Sequence, residues 1–315
     1  MKFCLLFTII LMMGLKGTCQ PDTSIVPIVA YWKTGDIWGF KVTKIKQTIQ
    51  DQKVVQNDSI HYLAKMEVLA QDSDTYTLDW TMANPFYDAF GLPASVRKKY
   101  PNYNYTNVIY KTTETGVYIG IQNWQEIGTM LKKLIGEKIS SLSSDTISQA
   151  GQIRKELNSL SSVYNTKRGI EQLVFKELMM FHFPLGKQYT VGKIYNYNEK
   201  VPVMKNSQPA TGNGIIVLRH LNKEKQTCEL LQRMKVLPDS ANTMLKNYFL
   251  HLGMRKEAIA GAISESIVSV YDDNIYNYLI DPGIPLKILV SRETVIDVLD
   301  DHVKQIDKTI IEKVP

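Results

Sequence analysis

Residues 60–82 read IHYLAKMEVLAQDSDTYTLDWTM, and the period of this stretch decides the fold. Ile60, Tyr62, Ala64, Met66 and Val68 alternate with His61, Lys65 and Glu67. The polar run Gln71 to Asp74 turns the chain. Tyr76, Leu78, Trp80 and Met82 then interleave with Thr75, Thr77, Asp79 and Thr81. Residues two apart share one face of a strand. Upstream, Trp38, Phe40 and Val42 alternate with Gly39, Lys41 and Thr43 ahead of a turn at Asp51 and Gln52. Three successive strands, each apolar on one face and polar on the other, describe an antiparallel meander with one wet side.

Downstream, residues 83–105 read as a loop rich in Asn, Pro and Tyr, with room for one short helical turn. Val108, Tyr110 and Thr112 lead through Glu114-Thr115-Gly116 to Val117, Ile119 and Ile121, a hairpin whose Gly supplies a positive φ. At Asn123 the period becomes 3.6. Trp124, Ile127, Leu131, Leu134 and Ile135 form one stripe, with Asn123 as N-cap and Glu126 completing a capping box. Asp145 opens a second stripe through Ile147, Ala150, Ile153, Leu157 and Leu160. Thr166 opens a third through Ile170, Leu173, Val174, Leu178 and Phe181, ended by Pro184 and Gly186.

Strand-like patterning returns at Tyr189 to Tyr197, Ile215 to Leu218 and Cys228 to Val236. Pro238 stops that run. Asp239 or Ser240 caps a helix carrying Met244, Leu245, Tyr248 and Phe249, and Ile259, Ile263 and Ile267 suggest one more helix. A closing meander reads as Ile275 to Ile280, Leu286 to Val290, Thr294 to Leu299 and Val303 to Ile311, with turns at Asp281-Pro282-Gly283 and Asp300-Asp301. The two ends share a plan. The expected fold is α+β: a curved antiparallel sheet, either a pseudo-repeat or a half-barrel, with amphipathic helices on one face. Two smaller α+β domains satisfy the pattern nearly as well. The expected organisation is a meander plus helical segment over 20–182 and a β-rich half over 183–315, continuous with the first. Each large side chain buried between sheet and helices contributes about 1.5–3 kcal/mol.

The first nineteen residues carry an address. Lys2 gives the positive start, Phe3 to Leu15 an apolar run, and Gly17, Thr18 and Cys19 the small residues of a cleavage site. This predicts a secretory signal peptide cut between Cys19 and Gln20. The run is short of the ~20 residues that span a bilayer. Lipidation of Cys19 is the rival, disfavoured by Lys16 three residues before it. Cleavage removes Lys2 and Lys16 from the 37 basic residues, leaving an excess of four over the 31 acidic ones. That mild, dispersed charge does not argue for nucleic acid, whose partners cluster Lys and Arg, and no nucleic-acid partner is expected. No span is expected after cleavage. Cys228 is then the sole cysteine, so no internal disulfide forms and the core alone holds the fold.

Trp32-Lys33-Thr34-Gly35-Asp36 opening a long strand, Thr77-Leu78-Asp79-Trp80 closing a third, Thr115-Gly116-Val117-Tyr118 and Asn123-Trp124-Gln125-Glu126 together resemble uncharacterised exported β-rich proteins of the Bacteroidota over about the first 140 residues. That resemblance implies compartment and fold style, and the family has no agreed activity. More distantly the plan is similar to periplasmic lipoprotein carriers, whose half-barrel sheets hold acyl chains against helices.

No catalytic, metal or cofactor constellation stands out. His61, His182, His220, His251 and His302 never share ligand spacing within one element, and H-E-x-x-H is absent. Asp72 with Asp74, Asp272 with Asp273, and Asp300 with Asp301 read as turn residues. Gly212-Asn213-Gly214 is too short to cradle a phosphate. Cys228 shares a strand face with Leu230, Met234 and Val236 and reads as a buried thiol. Asn57-Asp58-Ser59 and Asn104-Tyr105-Thr106 match the glycosylation pattern. The 17 tyrosines cluster at Tyr100, Tyr103 and Tyr105 and at Tyr271, Tyr276 and Tyr278, a chemistry suited to binding surfaces or to strands. The expectation is a non-enzymatic exported protein, periplasmic, outer-membrane-associated or secreted. It would bind a lipid or other apolar or amphipathic ligand, or an envelope partner. The alternatives are an envelope hydrolase with a dispersed site and a structural component of a cell-surface complex.

Overall fold

A computed structural model describes residues 25–142, 147–171, 175–201, 209–251, 254–298 and 301–315. The signal-peptide assignment and its cleavage between Cys19 and Gln20 lie outside them. The fold is α+β, built on one large antiparallel sheet that does not close.

The first meander runs longer than its apolar alternation. β1 (Ile25–Ile28) precedes it. β2 (Ile37–Gln50), β3 (Lys53–Gln71) and β4 (Thr75–Ala83) follow. The loop to residue 105 holds α1 (Phe86–Ala89), α2 (Ala94–Lys99) and a 3-10 turn at Pro101–Tyr103. Next come β5 (Tyr105–Thr113) and β6 (Tyr118–Ile121), turning at Gly116 with φ +88°. The helical segment is α3 (Trp124–Ser141), α4 (Ile147–Val163), the single turn α5 (Lys167–Gly169) and α6 (Lys176–His182). The second half comprises β7 (Lys187–Thr190), β8 (Ile194–Val201), β9 (Ala210–Asn222), β10 (Thr227–Val236), α7 (Pro238–His251), α8 (Lys256–Ser264), β11 (Ile267–Leu279), β12 (Ile284–Val298) and β13 (Asp301–Lys313).

Several expectations need correcting. The third helical stripe is broken: Thr166 caps only α5, accepting from Gly169 N at 3.0 Å, and the helix restarts at Lys176, with Leu173 and Val174 outside the described residues. Asn123 occupies the N-cap position of α3, but its side chain makes no capping bond. Its Oδ1 accepts from Ile109 N at 3.0 Å and its Nδ2 donates to Asn107 O, so a strand claims the side chain instead. Ile267 is not helical but opens β11, pairing with Asp297. The closing strands 286–290 and 294–299 are one strand, β12, because the polar run between them is held in register by β11 and β13. Asp301 opens β13; Asp300 lies outside the described residues.

The eleven-stranded order is β6-β5-β4-β3-β2-β13-β12-β11-β10-β9-β8. The chain leaves the centre with β2, reaches one edge at β6, crosses through the helices and returns from β8 to the centre at β13. The eleven-residue pairing of β13 with β2 joins the two halves. Tyr31 N donates to Pro282 O and Ala30 N to Thr115 O, both at 3.1 Å. Those carbonyls sit on the hairpins β11–β12 and β5–β6. In a flat sheet these hairpins stand six strand spacings apart, roughly 29 Å at ~4.8 Å each. Adjacent residues reach both, so the sheet is strongly curled.

α6 fills the apolar part of the concavity. Phe181 packs edge-on against Phe40 of β2 (5.2 Å) and Trp80 of β4 (5.8 Å). Its carbonyl accepts from the Tyr278 phenol of β11. The next residue, His182, meets Tyr110 of β5 through Nε2 at 3.1 Å and Gly116 O through Nδ1 at 2.8 Å. The Gly116 carbonyl can only accept, so Nδ1 donates and Nε2 accepts from the phenol. α3 adds Ile127, Leu131, Leu134 and Ile135 to the same core. α7 and α8 cover another part of the inner face. Ala241 packs with Met234, Val236 and Val270, while Met244, Leu245 and Phe249 pack with Ile259, Val268 and Ile296.

Candidate functional site

The inner face of the central strands changes character along their length. Inward positions on β2 are Phe40 and Val42, both buried, then Lys44, Lys46 and Thr48. The row through Val42 is Tyr62–Val42–Ile311–Ile288–Tyr276. The next is Ile60–Lys44–Thr309–Val290–Asn274. The third is Asp58–Lys46–Asp307–Arg292–Asp272, in which charge alternates at every step across five strands. Directly opposed side chains in such a row have Cβ atoms about 4.5–5.5 Å apart.

Beyond the N-terminus of α6 these rows remain open. They floor a groove of about 450 Å³, lined among others by Lys44, Lys46, Asp58, Ile60, Lys176, Glu177, Arg292 and Asp307. Glu177 anchors the helix to its rim. The side chain is fully buried; Oε1 accepts from the Tyr62 phenol at 2.5 Å and Oε2 lies 2.8 Å from Lys44 Nζ. Burial raises the Tyr62 phenol well above the ordinary range, and the Glu177 charge adds to it.

At the other end of the row Arg292 grips Asp272 with two bonds of 2.7 Å, Nε to Oδ1 and an Nη to Oδ2, the planar fork that only Arg offers. Behind it lies a buried polar cluster. Gln232 Oε1 accepts from Asn274 (3.1 Å) and Tyr276 (3.0 Å), and its Nε2 donates to Tyr197 at 2.7 Å. Lys176 projects from α6 toward this end. Desolvation in the groove pushes its amine below the usual lysine range, and the Arg292 charge pushes further the same way. Lys46 and Lys176 have no ion-pair partner within 4.0 Å among the described residues. The site can thus receive an anionic group between Lys176, Lys46 and the Arg292 edge.

The residues singled out by sequence are placed elsewhere. His61 lies on the convex face with Nδ1 3.1 Å from Thr43 Oγ1. His182 is buried in the core, and burial lowers it to about 4. His220 and His302 pair with Glu229 and Asp297, and the His251 side chain is outside the described set. Asp72 is a turn residue, accepting from Asp74 N and Thr75 N. Asp272 and Asp273 are not turn residues. They sit mid-strand on β11, facing opposite sides, with Arg292 and Arg233 as partners. Cys228 is buried and its thiol pushed up to about 12 by desolvation, which keeps it protonated. Tyr276 and Tyr278 are buried inward while Tyr271 is exposed outward, so that cluster is divided between faces. Gly212 and Gly214 lie inside β9.

Sequence reading missed Lys44, Lys46, Lys176, Glu177, Arg292 and Asp307. A signal existed on β2, where the inward parity of Phe40 and Val42 continues to two lysines. Among the described residues no group of three or more His, Cys, Asp or Glu could hold a metal ion, and no helix is long and apolar enough to cross a membrane. No protein-family model matches the chain, and no curated protein matches it either.

Proposed function

We propose that this chain is an exported, non-catalytic binding protein whose groove holds an amphipathic ligand by an anionic group. The observation that carries the reading is the open charged row beside Ile60, where Lys46 and Lys176 stand without an ion-pair partner within 4.0 Å among the described residues. An anion there gives both ammonium groups a partner of opposite sign, in charge-assisted hydrogen bonds. The Phe181 end of the concavity is filled by α6, so the ligand's apolar part lies along the groove rather than inside the core. The leader through Cys19 supports export, and the lone buried Cys228 suits an oxidising compartment.

Dye displacement on the chain from Gln20 onward tests this with three twelve-carbon probes: dodecanoate, dodecyl maltoside and dodecyltrimethylammonium. Dodecanoate is expected to bind at least tenfold more tightly than the other two, and Lys176→Ala to erase that preference. Equal binding of all three, or none, sinks the reading. Fractionation of the host, with N-terminal sequencing of the mature chain, checks export and the Gln20 start.

A further inference from the structure

The lower half of β3 has a neighbour on one side only. β4 leaves the sheet after Ala83. Pro85 has no N–H for a ladder, and Asn84 is committed to the loop: its N donates to Asn104 O (2.8 Å), its Nδ2 to Tyr103 O (2.7 Å), and its Oδ1 accepts from Phe86 N (2.8 Å). β3–β4 pairing therefore ends at Ala64–Met82, while β2–β3 pairing continues to Lys53.

Strand parity identifies the backbone groups on that bare edge. Val68 donates to Asp36 O and accepts from Gly35 N, so its main-chain groups point toward β2. The β2–β3 register is unbroken from Glu67 to Gln56. Even-numbered residues thus bond to β2, and Asn57, Ser59, His61 and Leu63 direct N–H and C=O away from it. Asn57, Ser59 and His61 have no backbone partner on the outer side among the described residues, whereas the Ala64–Met82 pair is closed by Leu63 O accepting from Ala83 N. Unpaired edge groups of this kind are a template for another strand.

The edge does not face open solvent. It forms one wall of a cleft of about 680 Å³ whose other wall is Pro85, Asp88, Ala89 and Arg97. One strand residue in a sheet occupies roughly 160 Å³, from a ~3.3 Å rise, ~4.8 Å spacing and ~10 Å thickness. The cleft holds about four residues of a single chain. A second copy of this protein would bring its own walled edge and finds no room for it. The cleft's charges set the sequence of the occupant. Arg97 is engaged by Asp88 at 3.2 Å, whereas Asp58 has no ion-pair partner within 4.0 Å among the described residues.

We propose that the β3 edge from Asn57 to His61 takes up an extended polypeptide segment of a partner protein by strand addition, with a basic residue against Asp58. The site shares Asp58 and Ile60 with the groove wall, and differs from the groove reading in resting on backbone groups at the sheet edge.

Selection of a phage-displayed random octapeptide library on the chain from Gln20 onward provides the probe, and the best peptide is then synthesised. Ser59→Pro removes one N–H from the bare edge without touching the β2 ladder, and Pro is tolerated at such positions. It is expected to weaken binding at least 20-fold, while Ser59→Ala stays within twofold and Asp58→Asn weakens it at least fivefold. If Ser59→Pro does not fold, N-methylation of alternate peptide amides gives the same reading on unmodified protein. Hydrogen exchange should show new protection at the amides of Asn57, Ser59 and His61. Lys176→Ala should leave peptide binding unchanged, which separates this site from the groove. No enriched peptide, N-methylated peptides binding within twofold, protection elsewhere, or self-association through these amides each overturns the proposal.

Discussion

The Tyr62 phenol of β3 donates to Glu177 Oε1 of α6 at 2.5 Å, closing a link across 115 residues of sequence. It joins the strand that floors the groove to the helix that bounds it. With Lys44 Nζ on the other oxygen at 2.8 Å, a fully buried carboxylate is held from two sides.

Tyr62→Phe therefore removes a donor from a buried charge and leaves the ring packing in place. The expected cost is about 1.5–3 kcal/mol, the range for a hydrogen bond to a charged group. Urea unfolding should show a lower midpoint at unchanged slope. A loss below 0.5 kcal/mol, or roughly a twofold change in the folding constant, would mean that Lys44 alone satisfies Glu177.

The Arg292–Asp272 pair makes a different prediction. Asp272 keeps 9% and Arg292 22% of its side chain in solvent. Wholly buried pairs cost about 3–5 kcal/mol to break from one side. With this residual solvation, Arg292→Leu should cost about 2–4 kcal/mol by leaving Asp272 unpaired. Asp272→Leu with Arg292→Leu should recover at least half of that. A double-mutant cycle by chemical denaturation gives the coupling, and strict additivity of the two single variants would refute it.

The sheet was legible in the sequence because its strands are inward-apolar and outward-polar, as at Ile60 to Val68 and Tyr76 to Met82. Where that contrast fades, reading failed. β12 looked like two strands because Ser291-Arg292-Glu293 interrupts its apolar pattern, and only cross-strand register shows Arg292 facing inward to Asp272. The groove was illegible for the same reason. Its charges come from β2, β3, α6, β12 and β13, and no local spacing brings Lys46, Lys176 and Arg292 together. Asn123 misled differently: its local pattern fits a cap, but a tertiary contact with Ile109 outcompetes it.

His182 gives a pH dependence with a defined sign. Burial lowers its folded value to about 4, so the native state holds the neutral ring while the unfolded chain titrates near 6.5. Between those values the unfolded state binds more protons, and stability falls with acid. The contribution is complete above about pH 6.5 and is lost as pH falls toward 4, by roughly 3 kcal/mol in all. Guanidinium unfolding at pH 7 and pH 4.5 measures the slope. His182→Gln, which keeps a donor for Gly116, should flatten it; an unchanged slope would place the titration elsewhere.

The curl of the sheet can be tested at one atom. Gly283 has φ +82°, and a Cβ built there would stand 2.1 Å from Val29 O. Gly35 has φ +91° but nothing within 4 Å of its Cβ. The left-handed backbone penalty, about 1–2 kcal/mol, is common to both. Only Gly283 carries the added overlap with the 29–31 segment, the segment that also binds Thr115 and Pro282. Gly35→Ala should therefore cost about 1–2 kcal/mol and Gly283→Ala roughly 2–5 kcal/mol. The excess at Gly283 measures how tightly the two hairpins are drawn onto the 29–31 segment. Equal losses would mean that the segment moves aside freely and that the curl does not depend on it.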